Sequence, residues 1–323
     1  MLERTIFSVR FLFITDSLSR LKPQKDSTVA LMRAAARAGD EIYACELADW
    51  SLHDCGVQVS AQKLRVVEEH ASWYTVEESG DYAADFFNLV LMRKEPPADA
   101  AFMMNTLLLD AAIAMGTPVV NAPRALREYN EKLSIFRFPH HIAPTMVSAD
   151  AKALADFHAA HDGAVIKPLD GMGGRGVYVS PPQDKNFPAI VDLLSSDGRD
   201  LIMAQTYLPA AREGDNRVFV IGGKPAPWML ARLPRENDHR GNMAAGGLAE
   251  ARPLSVAARR IAEDIAPTLL AAGIIFAGLD VLGEHLTEIN ITCPTGLREV
   301  RDQTGDDLAE DVLDTVRAVL VPA

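Results

Sequence analysis

The first third of the chain alternates short apolar runs with stretches of helical spacing, and this alternation limits the possible folds more than any other feature of the sequence. The apolar run Phe11–Thr15 has the length and composition of a buried strand. The stretch after it places apolar residues on one helical face, with Asp26 or Ser27 as the N-cap. A later strand pattern at 88–92 is likewise followed by a helix pattern over 99–115. Because strand–helix–strand units form parallel sheets covered by helices, we expect an N-terminal α/β domain.

Composition and charge narrow the classes of function. The chain has 323 residues, of which 48% are hydrophobic, as in globular proteins with a large core. Its net charge of −12 argues against nucleic acid or an anionic membrane as the main partner, because binding to such surfaces needs an excess of cations. The run Phe11–Thr15 is too short to span a membrane, and the residues before it do not have the pattern of a signal peptide, so we expect neither feature. The three cysteines are odd in number and lack metal-ligand spacing, which favours a reducing, cytoplasmic setting.

Patterns in the remaining two thirds predict further strands and hairpins. Pro123 is expected to open a helix that continues to residue 138, and we place a domain boundary near its start. Two strand patterns, at 163–169 and 177–180, are joined by a glycine-rich loop. Gly222–Gly223 predicts the turn of a hairpin, and 255–272 predicts a helix. A single final helix is expected to close the chain.

The glycine-rich loop between Lys167 and Ser180 has the G-x-G-x-x-G spacing of a dinucleotide-binding turn, at Gly171, Gly173 and Gly176. A Rossmann turn opens a helix, however, whereas the residues after this loop are β-branched and aromatic with no helical period. A protein-kinase glycine loop needs a downstream V-A-I-K lysine and H-R-D and D-F-G motifs, and the sequence lacks them. Two interpretations stay open: a surface hairpin that uses glycine for positive φ, or a flap over a phosphate.

Two lysines favour the phosphate interpretation. Lys167 lies in the apolar strand directly before the loop, and Lys132 lies in the separate segment N-E-K-L. Lysines from two segments, together with backbone N–H groups, can hold a triphosphate. The alternative for each lysine is a solvated side chain, and this alternative is weaker for Lys167 because its strand is apolar.

Three oxygen-bearing side chains near the C-terminus predict a metal site. Glu288 and Asn290 lie two apart in a strand pattern and therefore point to one face. If residues 283–285 form a three-residue hairpin loop, Asp280 pairs with Glu288 and shares that face. Oxygen ligands without His or Cys suit Mg²⁺, with Mn²⁺ as the second choice. A polar stripe facing solvent is the alternative, but a metal site and a phosphate flap in one chain together predict an ATP-using enzyme.

Three arginines supply further positive charge. Arg217 follows an acidic turn, Arg232 ends a hairpin strand, and Arg240 lies in the polar, glycine-containing loop 235–247. Arginines can stabilise charge on a phosphoryl group in transfer, and the small residues around Arg240 would let a lid close. Each of the three could equally be a surface residue.

In this order the motifs resemble the ATP-grasp ligases, and specifically the bacterial glutathione synthetases. The matching stretches run from about residue 11 to residue 320 and include KPLDGMGG, RGNMAAGG and LTEINITCPTGLREV. The resemblance implies an α/β protein of three parts: an N-terminal parallel-sheet domain that binds substrate (1–126), a central ATP-grasp lid subdomain (127–203) and a C-terminal ATP-grasp subdomain (204–323). ATP would lie between the last two.

The resemblance also implies a reaction and a set of site residues. The C-terminal carboxylate of γ-glutamylcysteine would attack the γ-phosphate of ATP, and the amine of glycine would then displace phosphate from the acyl phosphate, with ADP as the co-product. Residues implied to bind ATP are Lys132, Lys167, Gly171, Met172, Gly173, Gly174, Gln205, Tyr207, Leu208 and Asp215. Residues implied to bind the dipeptide are Asp26, Ser27, Arg93, Thr295 and Arg298. Magnesium would be held by Asp280, Glu288 and Asn290, while Arg217, Arg232 and Arg240 would stabilise phosphoryl transfer or bind peptide carboxylates.

Some positions depart from the family pattern. Cys293 stands where the family often has serine, Gly296 where a larger residue is common, and Glu95 where aspartate is common. These departures leave the acceptor open, so another ATP-grasp carboxylate–amine ligase is one alternative, and a non-catalytic ATP-binding regulatory protein on the same fold is another. The resemblance suggests a homotetramer, although no stretch of the sequence indicates an oligomeric state. Arg175, at the tip of the glycine loop, receives no role.

Overall fold

The N-terminal part of the chain forms a seven-stranded mixed sheet. The computed structural model describes residues 8–69, 71–233 and 248–320. Along the sheet the strand order is β3-β4-β2-β1-β6-β7, with β5 paired to β4. The strands are β1 (Arg10–Ile14), β2 (Glu41–Cys45), β3 (Trp50–His53), β4 (Gly56–Val66), β5 (Tyr74–Ala83), β6 (Leu89–Met92) and β7 (Val119–Val120). Helices α1 (Ser27–Arg37) and α2 (Ala100–Ala114) lie between them in sequence.

The predicted parallel sheet is present, and an antiparallel hairpin extends it. Strand β1 pairs in parallel with β2 and β6, and β6 pairs in parallel with β7. Strands β1 and β6 are apolar and almost wholly buried, as strands covered on both faces must be. The hairpin β4–β5 is antiparallel and was not predicted, because β5 carries a polar, largely exposed sequence.

A four-stranded antiparallel sheet follows, with the order β10-β9-β11-β8. Its strands are β8 (Thr145–Ser148), β9 (Ala164–Pro168), β10 (Tyr178–Ser180) and β11 (Ile202–Gln205), and its helices are α4 (Ala151–Ala160) and α5 (Phe187–Leu194). One face of this sheet packs on these helices around a small core of its own, which includes Leu154, Ile166 and Val191.

The prediction of a long helix from Pro123 to residue 138 is wrong. Helix α3 covers only Pro123–Glu128, and a short 3₁₀ helix follows at Leu133–Arg137. Between them the Asn130 side chain accepts hydrogen bonds from the backbone N–H groups of Lys132 and Leu133, at 3.0 and 2.9 Å. An asparagine that binds nearby backbone in this way competes with helix continuation.

The C-terminal part forms a five-stranded antiparallel sheet with the order β14-β13-β12-β15-β16. Its strands are β12 (Asp215–Ile221), β13 (Lys224–Leu233), β14 (Leu248–Pro253), β15 (Phe276–Leu282) and β16 (His285–Asn290). The helices are α6 (Val256–Ala271), α7 (Leu297–Thr304) and α8 (Leu308–Ala318), so the chain ends in two helices where one was predicted. Gly222 and Gly223 turn the β12–β13 hairpin as predicted, both with positive φ (56° and 77°).

The N-terminal and C-terminal sheets are held together by shared packing. Phe11 of β1 and Leu230 of β13 belong to one buried apolar cluster, and Val90 of β6 and Ile289 of β16 belong to another. On the surface Arg37 of α1 pairs with Glu310 of α8 and with Asp307, the N-cap of α8. None of the described helices is long and apolar enough to cross a lipid bilayer.

Candidate active site

One cavity of about 590 Å³ is lined by residues from the N-terminal loops, the segment 131–132, the glycine loop of the second sheet, and the third sheet with the segment after it. Twelve of the predicted site residues line it. They are Asp26, Lys132, Gly171, Met172, Gly173, Gly174, Arg217, Arg232, Asp280, Glu288, Asn290 and Thr295. The cavity therefore brings together Lys132, the glycine loop, the three predicted metal ligands and two of the predicted arginines from segments far apart in the chain, whereas Lys167 and Asp215 are not among its lining residues.

The glycine loop is a hairpin over this cavity rather than a Rossmann turn. Strand β10 follows it and pairs antiparallel with β9, Tyr178 opposite Ile166. Gly173 and Gly174 have positive φ, at 64° and 77°. A Cβ atom at Gly171 would lie 3.0 Å from the carbonyl oxygen of Arg175, so only glycine fits without a shift of backbone. The Gly171 carbonyl accepts a hydrogen bond of 2.6 Å from Lys132 Nζ, which ties the loop to the cavity wall.

Two buried ammonium groups flank one carboxylate. Lys132 Nζ and Lys167 Nζ lie 3.7 and 3.9 Å from Glu288 Oε1, and the two lysines are only 3% and 6% exposed. Burial lowers the pKa of Lys167, Glu288 opposes that shift, and the positive charge of Lys132 adds to it. Since one carboxylate faces two ammonium groups, this part of the cavity has positive charge to offer an anion such as a phosphate.

The hairpin β15–β16 brings the predicted metal ligands together, but its loop differs from the prediction. Leu282 pairs with His285, so the turn has two residues, Gly283 and Glu284, and not three. A bulge at Thr287 then restores the register in which Asp280 pairs with Glu288, as predicted. The Thr287 hydroxyl donates to the Asp280 carbonyl at 3.1 Å.

A network of buried ion pairs surrounds Asp280. Arg217, opposite Asp280 on the neighbouring strand, donates to both of its carboxylate oxygens, at 2.5 and 3.1 Å. Arg232 Nη2 lies 2.8 Å from Asp280 Oδ2 and also pairs with Asp215, its partner across β12–β13. Burial opposes ionisation of Asp280, but the two guanidinium groups outweigh it and hold its pKa below the usual range. Burial raises the pKa of Asp215 to about 6, although Arg232 opposes that shift.

The donor set fits a hard divalent cation. Asp280, Glu288 and Asn290 offer only oxygen ligands, and Asn290 Nδ2 donates to the Gly278 carbonyl, which leaves its Oδ1 free for a ligand. Within the described ranges no three His, Cys, Asp or Glu side chains form a metal-binding group, so such an ion would need the Asn290 amide, water and substrate oxygens. Mg²⁺ is commonly held in this way, by one or two carboxylates plus phosphates.

Glu131 is a cavity residue that the sequence interpretation missed. Its carbonyl accepts a hydrogen bond from Ile289 N, between Glu288 and Asn290, at 2.8 Å. Its carboxylate accepts one from the Thr292 hydroxyl at 2.9 Å. Burial, followed by the nearby charge of Glu288, raises the pKa of Glu131 to about 7. The only sequence signal was its place beside Lys132, and an acidic residue next to a lysine is ordinarily a surface pair.

Glu131→Gln should stabilise the fold at pH 8 and leave it unchanged near pH 4. The pKa of Glu131 is about 7 in the folded protein and near 4.5 in the unfolded chain. The free energy of unfolding of the wild type therefore falls as pH rises through that window. The loss at pH 8 is on the order of 3 kcal/mol, and glutamine avoids it because it never ionises. Urea unfolding of both proteins at the two pH values measures the difference, with Glu69→Gln as the exposed control. An equal difference at both pH values would contradict the raised pKa.

Most residues predicted to bind the dipeptide hold protein segments together. Asp26 lines the cavity, and its carboxylate also caps α1 by accepting from Thr28 N at 2.7 Å. Ser27 is buried, and its hydroxyl accepts hydrogen bonds from Gly296 N and Leu297 N at the start of α7. Asp26 is thus the N-cap of α1, and Ser27 joins α1 to α7.

The predicted arginines and threonine of this set also have partners within the protein. Arg93 is 4% exposed and donates to the Thr28 hydroxyl and the Pro294 carbonyl. Arg298 pairs with Asp302 and reaches the Pro23 carbonyl. Thr295 lines the cavity, and its carbonyl accepts from Arg217 at 3.4 Å.

The residues predicted for the adenine pocket are not among those that line the cavity. Gln205 ends β11 and is buried, with its amide between Lys167 Nζ (3.4 Å) and the Thr145 hydroxyl (2.8 Å). Tyr207 and Leu208 follow it and are half-buried. The structure thus places Gln205 against a predicted phosphate lysine. Arg240 lies outside the described residues.

Solved structures share this architecture. D-cycloserine synthetase DcsG superposes with a TM-score of 0.68 at 15% identity, covering 97% of this chain and all (100%) of that one. A RimK domain ATP-grasp protein from Sphaerobacter thermophilus superposes with a TM-score of 0.60 at 19% identity, covering 95% of this chain and 99% of that one. The fold is that of the ATP-grasp proteins, in which an N-terminal α/β domain precedes the ATP-grasp domain, and together with the site it defines an ATP-dependent ligase.

Sequence comparison identifies the family within this class. The family models of the prokaryotic glutathione synthetase N-terminal and ATP-grasp domains match residues 9–127 and 131–305. The glutathione synthetase of Nitrosomonas europaea is 41% identical over 95% of this chain and 97% of its own length. The glutathione synthetase of Pseudomonas syringae pv. tomato is 41% identical over 97% of this chain and 98% of its own length. The chain belongs to the prokaryotic glutathione synthetase family.

Proposed function

We propose that this chain joins γ-glutamylcysteine to glycine at the expense of ATP, forming glutathione, ADP and phosphate. One observation carries the proposal: Lys132, Glu288 and the Arg217–Asp280–Arg232 network line a single cavity beneath the glycine hairpin. Such a site can bind a triphosphate and stabilise charge on a phosphoryl group in transfer. Curated relatives of nearly equal length are named glutathione synthetases, which supports the choice of substrates over another acceptor.

In the proposed reaction the dipeptide carboxylate attacks the γ-phosphorus of ATP, and the bond to the bridging oxygen breaks to release ADP. The neutral amine of glycine then attacks the acyl carbon, phosphate leaves with the electrons of the C–O bond, and the amine proton passes to water. Lys132 and Lys167 would hold the phosphates, with the backbone of Gly171 to Gly174 above them. Arg217 and Arg232 would face the phosphoryl group as it moves.

Asp280, Glu288 and Asn290 would hold Mg²⁺, which when bound supplies positive charge against the phosphate oxygens. The oxygen-only donor set supports this ion over Zn²⁺, whose protein sites are built mainly from His nitrogen and Cys sulfur ligands. Gln205, Tyr207 and Leu208 would bind adenine, with Asp215 close to the nucleotide, and Arg240 would act from the lid loop. Asp26, Ser27, Arg93, Thr295 and Arg298 would bind or position the dipeptide.

Other assignments follow the same proposal. We divide the chain into an N-terminal domain (1–126), a lid subdomain (127–203) and a C-terminal subdomain (204–323), and we expect a homotetramer. We place the protein in the cytoplasm, a choice supported by three free cysteines. A non-catalytic role on this fold is not favoured, because Lys132, the glycine loop, the three proposed metal ligands, Arg217 and Arg232 line one cavity, and Lys167 lies 3.9 Å from Glu288 of that lining.

Phosphate release should depend on both γ-glutamylcysteine and glycine. With ATP and Mg²⁺ present, we expect turnover only when γ-glutamylcysteine and glycine are both added, and glutathione should form in equal amount to phosphate. Replacing glycine with other amino acids tests for a different acceptor. Phosphate release that does not require both substrates would overturn the proposed function. Activity with another amino acid but not with glycine would identify a related ligase instead.

A further inference from the structure

Three consecutive residues, Asn130, Glu131 and Lys132, contact both the glycine loop and strand β16, and we call them the strut. They follow α3 in the chain and belong to neither the second nor the third sheet. Glu131 and Lys132 line the cavity, whereas Asn130 is not among its lining residues. The proposed reaction uses Lys132 as a phosphate ligand and gives no task to Asn130 or Glu131.

On one side the strut binds the glycine loop. The Asn130 amide nitrogen donates to the Leu169 carbonyl at 3.1 Å. Lys132 Nζ donates to the Gly171 carbonyl at 2.6 Å. Both carbonyls lie within three residues of the end of β9. Two side chains of the strut therefore fix where the loop leaves its strand.

On the other side the strut binds β16, which is the last strand of its sheet. The Glu131 carbonyl accepts a hydrogen bond from Ile289 N at 2.8 Å, and Ile289 lies between the proposed metal ligands Glu288 and Asn290. The Glu131 carboxylate accepts a second hydrogen bond from the Thr292 hydroxyl at 2.9 Å. The strut thus holds β16 between its two ligands and again just after them.

A local turn makes the strut a single unit. Asn130 Oδ1 accepts hydrogen bonds from the backbone N–H groups of Lys132 and Leu133, at 3.0 and 2.9 Å. An asparagine that binds the backbone after it in this way fixes the path of the following residues. The loop contact made by Asn130 and the strand contact made by the Glu131 carbonyl are therefore held at a set distance from each other.

A nucleotide needs both of these parts of the site at once. In the proposed function the phosphates contact Lys132 and the backbone of the glycine loop, while the ion on Glu288 and Asn290 contacts the same phosphates. A misplacement of about 1 Å can cost on the order of 100-fold in rate. The distance between the loop and β16 therefore decides whether both sets of contacts can form on one nucleotide.

We propose that the strut sets this distance, with Asn130 and Glu131 as positioning residues that act through the loop and through β16. The inference rests on the ATP and metal contacts of the proposed function. It adds that phosphate binding and metal binding are coupled through the protein as well as through the nucleotide. Releasing either side of the strut should reduce the same coupling.

Two substitutions each release one side. Asn130→Asp keeps the Oδ1 acceptor of the turn but removes the amide that holds Leu169, and Thr292→Val removes the hydroxyl that holds Glu131. Calorimetric titration with the non-hydrolysable ATP analogue AMPPNP gives Kd in EDTA and Kd in Mg²⁺, and the ratio of the first to the second measures the coupling. We expect each variant to lower this ratio at least about fivefold, the lower end of ordinary couplings between sites.

The charge introduced by Asn130→Asp cannot produce this result. Repulsion by a new carboxylate weakens the metal-free nucleotide most, because that form carries more negative charge, and this raises the ratio. Thr292→Ser keeps the hydroxyl and should restore the wild-type ratio within about twofold. Matched controls are Asn105→Asp and Thr315→Val, whose side chains donate within α2 and α8 and do not line the cavity. Both controls should keep the wild-type ratio.

The double variant Asn130→Asp, Thr292→Val shows whether the two sides act together. If the strut is one element, the first substitution removes the coupling and the second lowers the ratio by less than about twofold more. Independent local supports would give losses that multiply. Multiplying losses would overturn the strut, as would an unchanged ratio in either single variant. Asn130 is exposed, so Asn130→Asp still decides the matter if the buried Thr292→Val variant does not fold.

The titration separates the strut from the proposed function, because it contains neither γ-glutamylcysteine nor glycine. A ratio that falls in the variants, in a wild type without ligase turnover, would support the strut and overturn the proposed function. Normal turnover with a ratio that no variant changes would support the proposed function and overturn the strut.

Discussion

Replacing Glu288 with glutamine should reduce kcat by about 10²- to 10³-fold while the protein stays folded. Glutamine keeps the shape of the side chain but removes its charge, so the proposed Mg²⁺ loses a carboxylate and the two ammonium groups of Lys132 and Lys167 lose their shared anion. Because the Glu288 side chain is 25% exposed and its lysine contacts are 3.7 and 3.9 Å long, the cost to folding should be smaller than that of removing one partner from a short, fully buried ion pair.

The measurement is glycine-dependent phosphate release at saturating ATP over a series of Mg²⁺ concentrations, together with urea unfolding in the absence of nucleotide. Glu284→Gln is the matched control, since Glu284 lies in the exposed turn of the same hairpin. We expect the Mg²⁺ concentration for half-maximal rate to rise in the Glu288 variant only. A kcat within about threefold of the wild type would rule out Glu288 as a metal ligand.

The local patterns of the sequence were sufficient for much of the fold and for many of the residues that line the cavity. Strand β9, the glycine hairpin and β10 follow from composition alone, because β-branched residues and glycines act over a few positions. The pairing of Asp280 with Glu288 also followed, although the predicted loop was one residue too long. The bulge at Thr287 compensates for that residue, and bulges have no reliable signal in a single sequence.

The environments that the sequence did not predict depend on contacts between distant segments of the chain. Ser27 looks like a helix cap, yet its hydroxyl serves the N-terminus of α7, 269 residues away. Arg93 looks like a ligand-binding residue after a strand, yet it binds the carbonyl of Pro294. Glu131 looks like a surface acid, yet it is half-buried against β16. In each case the local pattern fits two environments, and only the packing of one domain on another decides between them.

Arg232→Met should lower the free energy of unfolding by about 3–5 kcal/mol at pH 8, as well as abolish turnover. Arg232 is the shared partner of Asp215 and Asp280, and its side chain is 5% exposed. Methionine fills much of the space but leaves both carboxylates short of a cation in a buried setting. The matched control is Arg252→Met in β14, whose pair with Glu250 is exposed and should contribute 1 kcal/mol or less.

The destabilisation by Arg232→Met should shrink as pH falls from 8 to 5. The pKa of Asp215 is raised to about 6 even with Arg232 present, and without the guanidinium it must rise further. At pH 5 both proteins hold Asp215 protonated, so the variant loses only the pair with Asp280. At pH 8 the wild type ionises Asp215 beside Arg232, whereas the variant either keeps the proton or buries an unpaired charge. Adding Asp215→Asn to Arg232→Met should therefore recover part of the stability at pH 8 and none of the turnover, and a loss that is independent of pH would contradict the coupling.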